Sequence, residues 1–251
     1  MTLATHNPWL WLPLPRPAPA LRLLCLAYAG GRPQVFAGWP SLLPAGVEVA
    51  AVELPGRGAR TRERPHTRVR PLVDELATAI EADLDVPYAI FGHSLGALLG
   101  FELARELRDR GLPAPEALLV ASSPAPHMPM TESSLAELAE SAVAAQLEEL
   151  GAPRASALTA EARSLLLPYL RADLELYDTY EYVPGDPLDC PIAAYGGRFD
   201  PVVSEDDLAG WEEQTTARFA GVRLLPGDHF FLHAADGVLV QAIARELEVL
   251  G

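Results

Sequence analysis

Ser94, Asp200 and His229 have the side chains and the placement for nucleophilic catalysis. A serine hydroxyl is too weakly acidic to attack a carbonyl unaided, so a base must take its proton and an acid must hold that base in the right tautomer. Each of the three stands just past an apolar run: Ser94 after YAIFGH, Asp200 after IAAYGGRF, His229 after VRLLPGD. Ser94 lies within Gly92-His93-Ser94-Leu95-Gly96. Beyond it, apolar residues recur at Leu95, Leu98, Leu99, Phe101, Leu103 and Leu107 with helical spacing. The segment reads as strand, sharp turn, helix. Such a turn strains the serine backbone and lifts its hydroxyl above a sheet edge, and the flanking glycines keep other side chains clear.

The chain order Ser, Asp, His is the one known for the α/β-hydrolase fold. Rival groups fit less well. His93 adjoins the nucleophile in the turn, His6, His66 and His127 precede Asp200, and Asp228 is too near His229 in sequence to orient it. His233 is the remaining rival base and reads as a packing residue or one that supports the site from behind. The transition-state oxyanion needs two backbone donors: Leu95, which follows the nucleophile, and Ala29, in the loop after the first strand, where Gly30 and Gly31 permit a tight turn.

Strands are expected at 21–27, 47–54, 88–91, 117–122, 192–196 and 222–225. Helices are expected at 34–43, from Pro71 to about 83, after Ser94, after an N-cap at Ser204, and over about 236–250. Strands alternating with helices imply an α/β class with a mostly parallel sheet flanked by helices. Between Pro124 and Pro187 the rhythm breaks into two helical stretches, about 134–150 and 159–180, which read as a lid over the sheet's carboxyl edge. The expectation is one domain over 1–251, with a helical lid subdomain at about 124–187.

Composition removes several classes of function. With 49% hydrophobic residues in 251, the chain can bury a large core. A net charge of −15 argues against nucleic-acid or anionic-membrane binding. All 19 basic residues are Arg, so P-loop and Schiff-base chemistry are excluded for want of a lysine. Cys25 and Cys190 lack metal-ligand spacing and read as buried reduced thiols, which fits a cytoplasmic setting. Residues 1–20 lack the basic start and apolar core of a signal peptide, and read as an extended tail packing Trp9 and Trp11 on the body. Six arginines between 57 and 70 face one acid, Glu63. They are either a contact for a phosphate or an acidic partner, or a solvated loop paired internally.

Several segments in order resemble one family: LLCLAYAGG at 23–31, LPGRGAR at 54–60, FGHSLGALLGFELAREL at 91–107, LPYLRADLELYDTYEY at 167–182, CPIAAYGGRFDPVV at 190–203 and PGDHFFL at 226–232. The chain is similar to the stand-alone type II thioesterases that serve polyketide synthases and non-ribosomal peptide synthetases. That family often has Pro where this chain has Ala27, and an aromatic residue where it has Leu26; neither carries the chemistry. The resemblance implies hydrolysis of acyl thioesters held on the phosphopantetheine arm of acyl or peptidyl carrier domains. It implies no cofactor or metal of the enzyme's own, and a substrate passage lined by Tyr28, Leu170 and Tyr177. A monomer is expected. Fold and triad do not fix the leaving group, so a small-molecule esterase and a catalytically idle synthase-binding protein stay open.

Overall fold

The computed structural model describes residues 7–128, 159–234 and 237–249. Seven strands form one sheet in the order β1-β3-β2-β4-β5-β6-β7. They are β1 (Leu10–Trp11), β2 (Leu21–Leu26), β3 (Val47–Val52), β4 (Tyr88–His93), β5 (Leu118–Ala121), β6 (Ile192–Gly197) and β7 (Phe219–Leu225). β1 pairs antiparallel with β3, and every other pairing is parallel. The helices are α1 (Val69–Ile80), α2 (Leu95–Asp109), α3 (Ala160–Asp178), α4 (Glu205–Ala209) and α5 (Val238–Glu248).

The central strands are buried along their whole length, as parallel strands covered on both faces must be. Their alternation divides the core. Leu24, Leu26, Ile90 and Val120 point to the side packed by α1 and α2, while Leu23, Cys25, Phe91 and Leu119 point to the side packed by α5. The charge on β3 is accommodated: buried Glu48 accepts from Arg22 Nε at 2.9 Å and from the Arg16 backbone N–H at 2.8 Å. Cys25 and Cys190 are both free and buried, and burial pushes their thiols up, that of Cys190 to about 12.

Several expectations change in detail. The expected helix at 34–43 is instead two single turns, Pro33–Phe36 and Trp39–Ser41, because Gly38 and Pro40 interrupt the run before a full α-turn can propagate. The N-terminal tail packs Trp9 as expected but also donates β1, which caps the β3 edge. The acids after Ser204 do cap α4: Ser204 Oγ accepts from Asp207 N–H while the Asp207 carboxylate accepts from Ser204 N–H. The expected helix at 134–150 lies outside the described residues. The second expected stretch is α3, capped by the Thr159 side chain. No helix among the described residues is long and apolar enough to cross a membrane.

Candidate active site

The parallel sheet brings the carboxyl ends of β2, β4, β6 and β7 to one edge, and Ala29, Ser94, Asp200 and His229 follow those ends, while the expected Leu170 and Tyr177 lie on α3. Ser94 follows β4 with φ 54° and ψ −120°, a conformation that L-residues rarely adopt. It persists because the surroundings fix it. The Ser94 N–H donates to the Ala121 carbonyl at 2.8 Å, and the Ser94 carbonyl accepts from Ala97 N–H at 2.8 Å as α2 begins. A Cβ on Gly96 would fall on the Leu26 carbonyl oxygen, so only glycine lets the first turn of α2 lie against the end of β2. That contact packs the first turn of α2, where the Leu95 N–H has no intrahelical acceptor, against the Leu26–Ala27 backbone at the end of β2.

Asp200 and His229 meet from neighbouring strands, with His229 Nδ1 donating to Asp200 Oδ2 at 2.9 Å. Their loops approach backbone to backbone, for a Cβ on Gly197 would fall on the Asp228 carbonyl oxygen. The Asp200 side chain is fully buried, and its Oδ1 accepts from the N–H groups of Val202 at 3.0 Å and Val203 at 3.2 Å. Burial pushes the carboxyl up, but the hydrogen bond and charge of His229, with those two N–H groups, outweigh it and hold Asp200 below its ordinary 3.8. The ionised carboxylate only accepts, so the His229 proton sits on Nδ1 and Nε2 presents its lone pair. That is the tautomer a base needs.

No hydrogen bond from Ser94 Oγ to His229 is present among the described residues. Catalytic bonds of this kind are commonly long before substrate binds. Ser94 instead lies close to Tyr177. Burial raises the Tyr177 phenol above its ordinary 10, opposed by hydrogen bonding to Ser123, whose Oγ is 3.3 Å away, and to Ser94.

The described rival groups have other employment, and His6 lies outside the described residues. His93 is fully buried among Tyr28, Phe230 and Phe231, and both ring nitrogens lack a hydrogen-bond partner among the described residues. Burial above all, and then the neighbouring His229, hold its pKa well below 6.5, so it stays neutral. His233 Nε2 pairs with the Tyr28 hydroxyl at 2.8 Å, His66 with Glu75, and His127 with Gln214. Asp228 Oδ1 accepts from the Phe230 N–H at 2.9 Å.

Helix α3 crosses this edge with one face. Leu170 packs on Gly30, Asp173 Oδ2 accepts from the Gly30 N–H at 2.7 Å, and Tyr177 reaches Ser123. Sequence reasoning singled out Leu170 and Tyr177 but not Asp173 between them. The available signal was an acid at i+3 on an otherwise apolar helix face. Ser122 was also missed. Its φ of 46° aims its hydroxyl at the His229 carbonyl, 3.2 Å away, bracing the histidine loop.

The arginine run divides between residues paired internally and residues left exposed. Arg57 pairs with Asp173, Arg60 with Glu63 while lying 3.7 Å over the Trp9 ring, and Arg68 with Glu175. Arg57 and Arg60 are buried, because the loop folds inward at Pro55 and Gly56, whereas Arg62, Arg64 and Arg70 stay exposed.

The thioesterase domain family model matches residues 21–249. The chain belongs to the thioesterase domain family. It is 36% identical over 245 residues to the gramicidin S biosynthesis protein GrsT of Aneurinibacillus migulanus, covering 97% of this chain and 95% of that one. Among solved structures it is similar to RedJ, a thioesterase from the prodiginine pathway of Streptomyces coelicolor, with 40% identity, a TM-score of 0.87 and 91% of each chain covered. It is also similar to BorB, the type II thioesterase of the borrelidin cluster, with 34% identity, a TM-score of 0.87, and 95% and 97% of the two chains covered. The mostly parallel sheet of this thioesterase is the α/β-hydrolase sheet expected from the residue order.

Proposed function

We propose that the protein is a serine hydrolase that cleaves acyl thioesters from the phosphopantetheine arm of acyl or peptidyl carrier domains. Its role is to clear aberrant or stalled units in polyketide or non-ribosomal peptide biosynthesis. The observation that carries the reading is the buried Asp200–His229 pair, at 2.9 Å, beside a strained Ser94 in a thioesterase chain.

Ser94 Oγ attacks the thioester carbonyl as His229 Nε2 takes its proton, and Asp200 stabilises the imidazolium that results. The tetrahedral oxyanion is held by the N–H groups of Leu95 and Ala29. Collapse expels the pantetheine sulfur, which takes the proton from His229. Water then attacks the acyl-serine, giving its proton to His229, and the acid leaves as Ser94 recovers its hydrogen. The acyl arm arrives with the partner, so the enzyme needs no metal or cofactor for these steps. Helix α3 is part of the lid, with Leu170 and Tyr177 limiting acyl length and Tyr28 lining the passage. Carrier contact falls to the exposed Arg62, Arg64 and Arg70, and the enzyme works as a cytoplasmic monomer.

The test compares kcat/KM for one acyl group presented as a carrier-bound thioester and as a simple oxygen ester. Preference for the carrier-bound thioester by two orders of magnitude or more supports the reading; equal or reversed preference makes the protein a small-molecule esterase.

A further inference from the structure

Arg57 and Asp173 form an ion pair across 116 residues of sequence. The guanidinium is bidentate, with Nη1 to Oδ2 at 2.7 Å and Nη2 to Oδ1 at 2.5 Å, and the two side chains are 3% and 2% exposed. Its flat face lies 4.7 Å from the centre of the Tyr169 ring. Taken as glue, such a pair is a poor choice, since well-packed apolar residues of the same volume stabilise a core as well.

Apolar residues could not do what the free lone pair and N–H of this pair do. Asp173 Oδ2 also accepts from the Gly30 N–H at 2.7 Å, and Arg57 Nη1 also donates to the Gly31 carbonyl at 3.1 Å. Those two anchors hold the second half of a tight turn that begins at Tyr28. Gly30 has φ +75° and the Gly31 N–H closes back on the Tyr28 carbonyl at 2.7 Å. Ala29 sits inside that turn. The Ala29–Gly30 and Gly31–Arg32 peptides are pinned by charged hydrogen bonds, and the Tyr28–Ala29 peptide, which carries the Ala29 N–H, is tied to them through the Gly31 N–H bond to the Tyr28 carbonyl.

We propose that Arg57 and Asp173 are positioning residues for the reaction: through Gly30 and Gly31 they hold the 28–31 turn so that the Ala29 N–H faces the developing oxyanion. The proposal rests on the hydrolytic reading of Ser94 above. It makes the seating of α3 part of the transition-state machinery, because Asp173 is on that helix. A donor displaced by about an ångström loses up to about 100-fold in rate while ground-state binding changes little.

The experiment uses the full chain, an acyl N-acetylcysteamine thioester, and an alkyl boronic acid that forms a tetrahedral adduct on Ser94. Arg57→Met and Asp173→Leu are made singly and together. Each single change strands a buried charge and lowers Tm, and the double change restores Tm to near that of the wild type. The double variant is expected to keep KM within about threefold while kcat falls about 30- to 100-fold, with boronate affinity falling in parallel. Wild-type kcat and boronate affinity in a folded double variant would overturn the proposal and leave the pair merely structural. Arg57→Lys gives an independent reading if the double variant does not fold. It keeps the charge pairing but lacks the planar fork that also reaches Gly31, so kcat should fall about tenfold at constant KM; an unchanged kcat overturns the proposal. Ser94→Ala in the same assay separates the two claims. Residual wild-type hydrolysis there sinks the catalytic reading itself, whereas a dead Ser94→Ala beside fully active pair variants sinks only the positioning role.

Discussion

Replacing Asp200 by Asn tests the tautomer argument with almost no change of shape. In the wild type the carboxylate accepts three hydrogen bonds, from His229 Nδ1 at 2.9 Å and from the N–H groups of Val202 and Val203 at 3.0 and 3.2 Å. An Asn oxygen can keep the two backbone donors. Its NH2 group then faces His229 Nδ1 and requires a lone pair there. The imidazole proton moves to Nε2, and the nitrogen facing the nucleophile can no longer accept from Ser94. The backbone of the loop stays satisfied, so the folding cost is confined to exchanging a charged hydrogen bond for a neutral one, about 1–2 kcal/mol. The catalytic cost is far larger. A base held in the wrong tautomer loses about 10⁴ in kcat, or about 5.4 kcal/mol of transition-state stabilisation. The assay is release of thiol from an acyl N-acetylcysteamine thioester, with Tm measured on the same samples. A variant that folds and retains more than about a tenth of wild-type kcat would refute the assignment of Asp200.

Three further outcomes follow from the same geometry. His93 is held neutral by burial, so below pH 6.5 the unfolded state gains a proton that the folded state refuses, and stability falls with falling pH. Between pH 7 and 5.5 this group contributes a loss of about 1 kcal/mol in urea unfolding, which His93→Phe should remove; an identical decrement in the variant would contradict it. Gly197→Ala forces a Cβ onto the Asp228 carbonyl and pushes the Asp200 and His229 loops apart. A stability loss of about 1–3 kcal/mol with kcat down at least about tenfold is expected, and wild-type activity would deny that the close approach matters. Tyr177→Ala opens the space over Ser94 and should raise the octanoyl-to-acetyl ratio of kcat/KM about tenfold, while an unchanged ratio removes Tyr177 as a length gate.

The candidate catalytic residues were legible because each follows a strand whose apolar run is visible in the sequence, and a parallel sheet must bring such ends to one edge. The strain at Ser94 was legible too, through the glycines that permit it. What escaped was held by long-range pairing or by single residues. Two residues, Leu10 and Trp11, form a strand only because β3 offers an edge. Arg57 looked like part of a charged surface run because its partner Asp173 lies 116 residues away. Ser122 carries no sequence mark of the positive φ that lets it brace the His229 loop. The helix expected at 34–43 failed for a local reason, since a proline and a glycine leave single turns only.

The central claim is that Ser94, activated by His229, removes acyl groups from a carrier arm. It is tested most directly by intact-protein mass spectrometry of a carrier domain loaded with an acetyl or propionyl thioester. The loaded carrier is incubated in parallel with wild type, Ser94→Ala and His229→Ala. The account predicts that wild type alone strips the acyl mass and leaves the free phosphopantetheinyl carrier, with both variants leaving it loaded. A carrier that stays loaded with wild type, or is stripped equally by Ser94→Ala, would contradict it.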